Sequence, residues 1–159
     1  MDYAATRDRV EHYFDRSATQ VWERLTSDAP VSGVRATVRA GRDRMRGAML
    51  GCLPDDLRGA RVLDAGCGAG QMVAELAARG ADVVGVDISP ALLDIAARRL
   101  PEGLRDKVTL QAGDMFSPQL GSFDAVVAQD SMIYYRSGDL AEKLDVLSGR
   151  SRQVVFTVA

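Results

Sequence analysis

The 159-residue sequence predicts an α/β fold, a doubly wound and mainly parallel sheet preceded by two N-terminal helices. Three observations predict it. From about residue 58 onward, short apolar runs alternate with helical patterns. The apolar run Val62-Leu63-Asp64-Ala65 leads directly into glycines at 66, 68 and 70. Before residue 58, apolar and charged residues recur at helical rather than strand spacing. A hydrophobic share of 47% and a charged share of 26% suit one globular domain. The net charge of −2 gives no field for gathering polyanions, so nucleic acid is not expected as a partner. No run approaches about 18 apolar residues, and Met1-Asp2-Tyr3 does not begin a signal peptide, so no membrane span is expected. Cys52 and Cys67 form neither a disulfide framework nor a zinc-site spacing. A cytoplasmic, reducing setting without a protein metal site follows as the expectation.

The elements follow in order. A first helix is expected over about residues 4–26, with Val10, Phe14, Val21, Trp22 and Leu25 on one face; Asp28-Ala29-Pro30 turns the chain. A second is expected over about 32–52, with Val34, Val38, Met45 and Met49 on an apolar face, closing before Pro54-Asp55-Asp56. Residues 1–57 thus read as a helical lid and substrate region, and 58–159 as a Rossmann-like cofactor-binding core. Within that core the expected elements are strand 61–65, helix 71–79, strand 82–87, helix 91–100, strands 107–112 and 123–129, a helix near 140–147 and strand 153–158. Ser89 as N-cap with Pro90 after it, and Gly80 at a helix end, support two of the helices.

The glycine loop carries the first chemistry. Glycines at alternate positions after a strand let a ligand approach bare backbone, and the N–H groups opening the next helix favour an anionic group. The following strand, Val83-Val84-Gly85-Val86-Asp87, ends in a carboxylate able to accept hydrogen bonds from ribose hydroxyls. Together they describe a nucleoside site. A dinucleotide fingerprint would place its third glycine at position 71, which is Gln71, and this opposes NAD.

Asp64-x-Gly66-x-Gly68-x-Gly70 instead resembles the first motif of class I S-adenosylmethionine-dependent methyltransferases. That resemblance implies loop backbone against the methionine portion, Asp87 on the ribose, and an acid near the adenine amino group, matched by Gly113-Asp114-Met115. The implied cofactor set is Asp64, Gly66, Cys67, Gly68, Gly70, Asp87, Ile88, Asp114, Met115 and Gln129. Base methylation is disfavoured, because the segment Gln129-Asp130-Ser131-Met132-Ile133-Tyr134-Tyr135 has no Asn/Asp-Pro-Pro-aromatic sequence.

Four segments together narrow the resemblance: 9–16 (RVEHYFDR), 34–42 (VRATVRAGR), the 64–70 loop and 129–135 (QDSMIYY). They are similar to the magnesium-protoporphyrin O-methyltransferases of chlorophyll and bacteriochlorophyll synthesis. The resemblance implies methyl transfer from S-adenosylmethionine to a propionate of magnesium protoporphyrin, a magnesium chelatase subunit as partner, and a cytoplasmic place peripheral to photosynthetic membranes. It also implies further residues after Ala159, with two more strands and a helical cover, without which Val154–Val158 would be a sheet edge. A propionate is already ionised near neutral pH, so alignment and desolvation rather than a base carry the expected chemistry.

Candidate substrate residues are Arg39, Arg42, Tyr13 and Tyr134. Arg35, Arg39, Arg42 and Arg46 recur at spacings of four, three and four. This stripe reads either as an anion clamp, with Arg39 and Arg42 foremost, or as a solvated face paired with Asp43. Tyr13, Phe14 and Trp22 read as core or as a lid over the site. Tyr134 reads as a phenol donor to the acceptor oxygen or as a gap-filling aromatic. His12, the single histidine, reads as a surface residue.

Overall fold

Five parallel strands form the sheet: β1 (Arg61–Ala65), β2 (Asp82–Asp87), β3 (Val108–Ala112), β4 (Phe123–Ala128) and β5 (Ser151–Phe156), in the order β3-β2-β1-β4-β5. The computed structural model describes residues 2–158, the side chains at 16 and 17 excepted. Strand order reverses between β1 and β4, which opens a crevice at the strands' C-terminal ends. Val62, Leu63, Val126 and Val127 are all fully buried. Neighbours in sequence point to opposite faces of a strand, so both faces must be covered.

One face packs Val62 and Val127 against Met72, Val73 and Leu76 of α4 (Gln71–Ala78). The other packs Leu63 and Val126 with Phe116, Met132 and Leu147 of α6 (Ser137–Gly149). Each such side chain contributes roughly 1.5–3 kcal/mol on burial. Helix α5 (Pro90–Arg99) starts where Ser89 Oγ accepts from the Leu92 N–H at 3.3 Å, with Pro90 in the first turn, as the sequence predicts. Among the described residues β5 pairs only with β4, and Phe156 and Val158 beside it are exposed.

The N-terminal region departs from the expected pair of regular helices. The first is interrupted: α1 (Tyr3–Tyr13) passes through one π-helical segment, Phe14–Ala18, into α2 (Thr19–Leu25). The Thr19 hydroxyl donates to the Phe14 carbonyl five residues back, within this wider turn. One extra residue rotates everything after it by about 100° around the axis. Val21, expected inside, is therefore 48% exposed, while Leu25 remains buried.

The second expected helix is α3 (Val34–Gly51), beginning after Gly33 at a φ of +58°. Its predicted apolar face is also corrected. Val34, Val38 and Met45 are exposed and only Met49 is buried, because α3 joins the core through its last turn. Its arginine flank, not its apolar stripe, meets α2 and the end of β4.

Candidate active site

The C-terminal ends of β1, β2 and β4, with the segments after β3 and β4, surround a cavity of about 970 Å³, mouth included. It lies where the strand order reverses.

The three glycines of the loop do different work. Gly66 has a φ of +78°, and a Cβ on it would lie 2.3 Å from Ser131 Cβ, so the loop is pressed against the segment after β4. Ser131 Oγ locks that contact by donating to the Ala65 carbonyl at 2.7 Å. Gly68, at a φ of +53°, has nothing within 4 Å of a would-be Cβ, and its bare side borders the cavity. Gly70 does not line the cavity; a Cβ there would lie 2.9 Å from Ala96 Cβ, so it lets α4 approach α5.

Three carboxyl groups gather around this loop. Asp87 accepts from the Gly68 N–H at 2.8 Å through Oδ2 and from the Ser89 N–H at 2.9 Å through Oδ1. Burial raises its pKa, while these N–H groups hold it back. Asp64 is 2% exposed, and its Oδ2 is the buried side-chain atom without a hydrogen-bond partner among the described residues. Burial, then the charge of Asp87, pushes the Asp64 carboxyl up to about 8. Asp114 Oδ1 accepts from the Phe116 N–H and from the Tyr3 hydroxyl, both at 2.9 Å. Burial pushes the Cys67 thiol well up, which makes it an unreactive wall. Ile88, Met115 and Gln129 also line the cavity.

Across the cavity the groups are cationic and aromatic. The Arg42 guanidinium pairs with Asp130 Oδ2 and lies 4.7 Å from the Trp22 ring centroid. Burial lowers the Arg42 pKa and the Asp130 charge raises it. Gln129 Nε2 donates to the Arg42 carbonyl at 2.9 Å, which ties α3 to the end of β4. The rings of Trp22, Phe14 and Tyr134 follow one another at 5.7 and 6.0 Å. Burial raises the Tyr134 pKa, so its hydroxyl stays protonated near neutrality.

Two of the four substrate candidates lie in the cavity and two do not. Arg42 and Tyr134 line it. Tyr13 is half exposed and meets the outer edge of Phe14 at 5.2 Å. Arg39 is corrected as an anion ligand, because its guanidinium is spent on three carbonyls: Leu25 at 2.8 Å, Ala29 at 2.6 Å and Arg24 at 2.6 Å. It closes the C-terminal end of α2, where four carbonyls lack helical partners. Arg46 bonds Asp43, so the four arginines do not converge.

Sequence reasoning missed Tyr3 and Arg7 and placed Val10 only on the helix's apolar face; all three line the cavity from α1. Tyr3 stacks on Tyr135 at 5.2 Å, and Arg7 comes within 4.0 Å of Asp114. Residues 3, 7, 10 and 14 recur at spacings of four, three and four, a helical face that carries the signal. Its mixed aromatic, basic and apolar make-up hid it from a search for apolar stripes.

A family model described as a methyltransferase domain matches residues 62–148. The magnesium-protoporphyrin O-methyltransferase of Rhodobacter capsulatus is 61% identical over 160 residues, covering 99% of this chain and 71% of that protein. The Synechocystis enzyme of the same name is 30% identical over 167 residues, covering 100% of this chain and 72% of that one. A crystal structure of the Synechocystis magnesium protoporphyrin IX methyltransferase with bound S-adenosylmethionine superimposes with a TM-score of 0.82, at 27% identity, over 98% of this chain and 76% of that one. A methyltransferase-domain match over residues 62–148 and near-complete coverage at 61% identity lead to one conclusion: this chain belongs to the magnesium-protoporphyrin O-methyltransferase family.

Proposed function

We propose that the chain esterifies a propionate carboxylate of magnesium protoporphyrin with a methyl group from S-adenosylmethionine, giving the monomethyl ester. The single observation that carries this reading is the division of one cavity into two chemically opposite sides. One side has the carboxyl groups of Asp64, Asp87 and Asp114 with bare backbone, and the other has the Arg42 guanidinium, shared with Asp130, among aromatic rings. The first side suits a cationic nucleoside and the second an anionic, flat acceptor.

The residues present fit the cofactor. The unpartnered Asp64 Oδ2 suits its ammonium group, and the open face of Gly68 leaves room for the methionine portion beside Gly66 and Cys67. Asp87 keeps lone pairs for the ribose hydroxyls, and Asp114 with Ile88 and Met115 suits the adenine. When bound, the cofactor supplies an electrophilic methyl group on a sulfonium.

The chain's own part is alignment. Arg42 holds the acceptor carboxylate, and the Tyr134 phenol, kept protonated by burial, donates to it rather than acting as a base. Trp22 and Phe14 exclude water, which favours a step in which opposite charges disappear. Tyr13 extends this cover on its outer side. A propionate needs no proton removed, in keeping with a site that shows no nucleophile–base pair among the described residues.

The same reading places magnesium chelation immediately before this step, since the acceptor is a magnesium chelate, and makes a magnesium chelatase subunit the partner to test by co-purification. No helix among the described residues is long and apolar enough to cross a membrane, and we place the enzyme in the cytoplasm, peripheral to photosynthetic membranes. The lid of residues 1–57 over the 58–159 core is part of the proposal.

The test supplies the purified chain with labelled S-adenosylmethionine and, in turn, magnesium protoporphyrin, metal-free protoporphyrin and a phenol. Label is expected in a methyl ester of the magnesium porphyrin. Equal labelling of the phenol, or no ester at all, would overturn the assignment.

A further inference from the structure

The Arg42–Asp130 pair has a feature that binding a carboxylate does not require. Asp130 is the non-glycine residue with positive φ among those described, at +56°, a left-handed conformation that Asp and Asn adopt more readily than other residues with a Cβ. Thr157 holds it there twice. Its Oγ1 accepts from the Asp130 N–H at 2.8 Å, and its hydroxyl lies 3.2 Å from Asp130 Oδ1 as donor. The remaining oxygen, Oδ2, goes to Arg42. Trp22 lies against the guanidinium, and Gln129 holds the backbone carbonyl of Arg42. Thr157 and the left-handed backbone thus set a carboxylate against the very cation that faces the acceptor side of the cavity.

A physical reason follows from the charge change at the acceptor. Methylation turns a carboxylate anion into a neutral ester, with no proton moved. A cation that fully pairs with that anion binds the ground state more strongly than the transition state, and so lowers KM at the expense of kcat. A guanidinium already shared with an internal carboxylate still orients the acceptor but quenches its charge less.

Resting on the function proposed above, we propose that Asp130 is a positioning residue of methyl transfer. It fixes the Arg42 guanidinium and attenuates its charge, so that the acceptor carboxylate is aligned while it stays nucleophilic.

The experiment uses Asp130→Asn, which keeps the shape and tolerates positive φ, and Asp130→Gly, which tolerates it fully. Folding is checked by Tm and by the Kd for S-adenosylhomocysteine. With that product analogue present, Asp130→Asn is expected to bind magnesium protoporphyrin about three- to tenfold more tightly, while kcat falls about tenfold or more. Thr157→Val, which loosens Asp130 without removing its charge, is expected to lower kcat about two- to fivefold.

An unchanged or weaker porphyrin Kd in Asp130→Asn, or an unchanged kcat, overturns the proposal. Should that variant not fold, Asp130→Gly and Thr157→Val decide in its place, and a kcat unchanged in both overturns it. Failure of the wild-type chain to esterify magnesium protoporphyrin would instead remove the functional reading. An active wild type beside an unaffected Asp130→Asn removes this inference alone.

Discussion

The two sides of the cavity, one proposed for the cofactor and the other for the acceptor, are built in different ways. On the cofactor side the decisive contacts are made by backbone at strand ends. Gly68 and Ser89 N–H groups hold Asp87, and a glycine loop follows β1. On the acceptor side they are made by side chains from distant segments: Arg42 on α3 meets Asp130 after β4, and Gln129 returns to the Arg42 carbonyl. The first side therefore depends on a short local motif and the second on how separate elements dock. A damaged glycine loop is expected to abolish the fold or the cofactor, whereas a damaged acceptor side is expected to spare both.

The largest expected effect separates two glycines of the same loop. Gly66→Ala combines positive φ with a Cβ 2.3 Å from Ser131, at a cost of roughly 2–5 kcal/mol of stability, read as a lower Tm. Gly68→Ala has open space and costs only about 1–2 kcal/mol, but fills the cofactor's cradle and weakens S-adenosylhomocysteine. Equal stability losses in the two would mean that the loop is not pinned by the β4 segment.

Next in size, Asp87→Ala is expected to weaken S-adenosylhomocysteine about 10- to 150-fold, roughly 1.5–3 kcal/mol, measured by calorimetry. The porphyrin Kd should hardly move. Parallel loss of both would join the two sides into one unit.

Arg42→Ala sharpens the comparison from the other direction. The acceptor KM is expected to rise about tenfold or more, with cofactor affinity intact, whereas Arg39→Ala should cost about 1–3 kcal/mol of stability with no selectivity between ligands. A selective porphyrin defect in Arg39→Ala would return the anion clamp to the whole arginine stripe.

The smallest effect is a pH dependence. Asp64 has its folded pKa raised to about 8, above the ordinary carboxylate value. Its contribution to stability is therefore fully present below that ordinary value and is lost as pH rises through about 8. A bound ammonium favours the ionised form, so S-adenosylhomocysteine affinity should rise about fivefold between pH 7 and 8. Asp64→Asn should flatten that slope; an equally steep slope in the variant would assign the proton to another group.

That the glycine loop and the acids meet at one cavity was legible because the signals are local. A strand that ends in glycines can only place Asp64, Gly66 and Gly68 at its own C-terminal end. Parallel pairing then brings Asp87 and Asp114 to the same edge of the sheet. The cavity-lining α1 residues Tyr3, Arg7 and Val10 were less legible, since their helical spacing is plain but their purpose depends on what α1 packs against. The π-helical segment had no readable signal, and it decided that Phe14 and Trp22 face the cavity while Val21 does not.

By itself the sequence determined the parallel sheet, the glycine loop and the acids at its strand ends, because alternation, chain direction and turn chemistry act over a few residues. Only the tertiary structure decided between Arg39 and Arg42, one turn apart on the same stripe. The C-terminal end of α2 takes the first guanidinium for its free carbonyls, and the end of β4 brings Asp130 to the second. Helical periodicity fixes which side chains share a face; what stands opposite that face is set by docking between segments far apart in the chain.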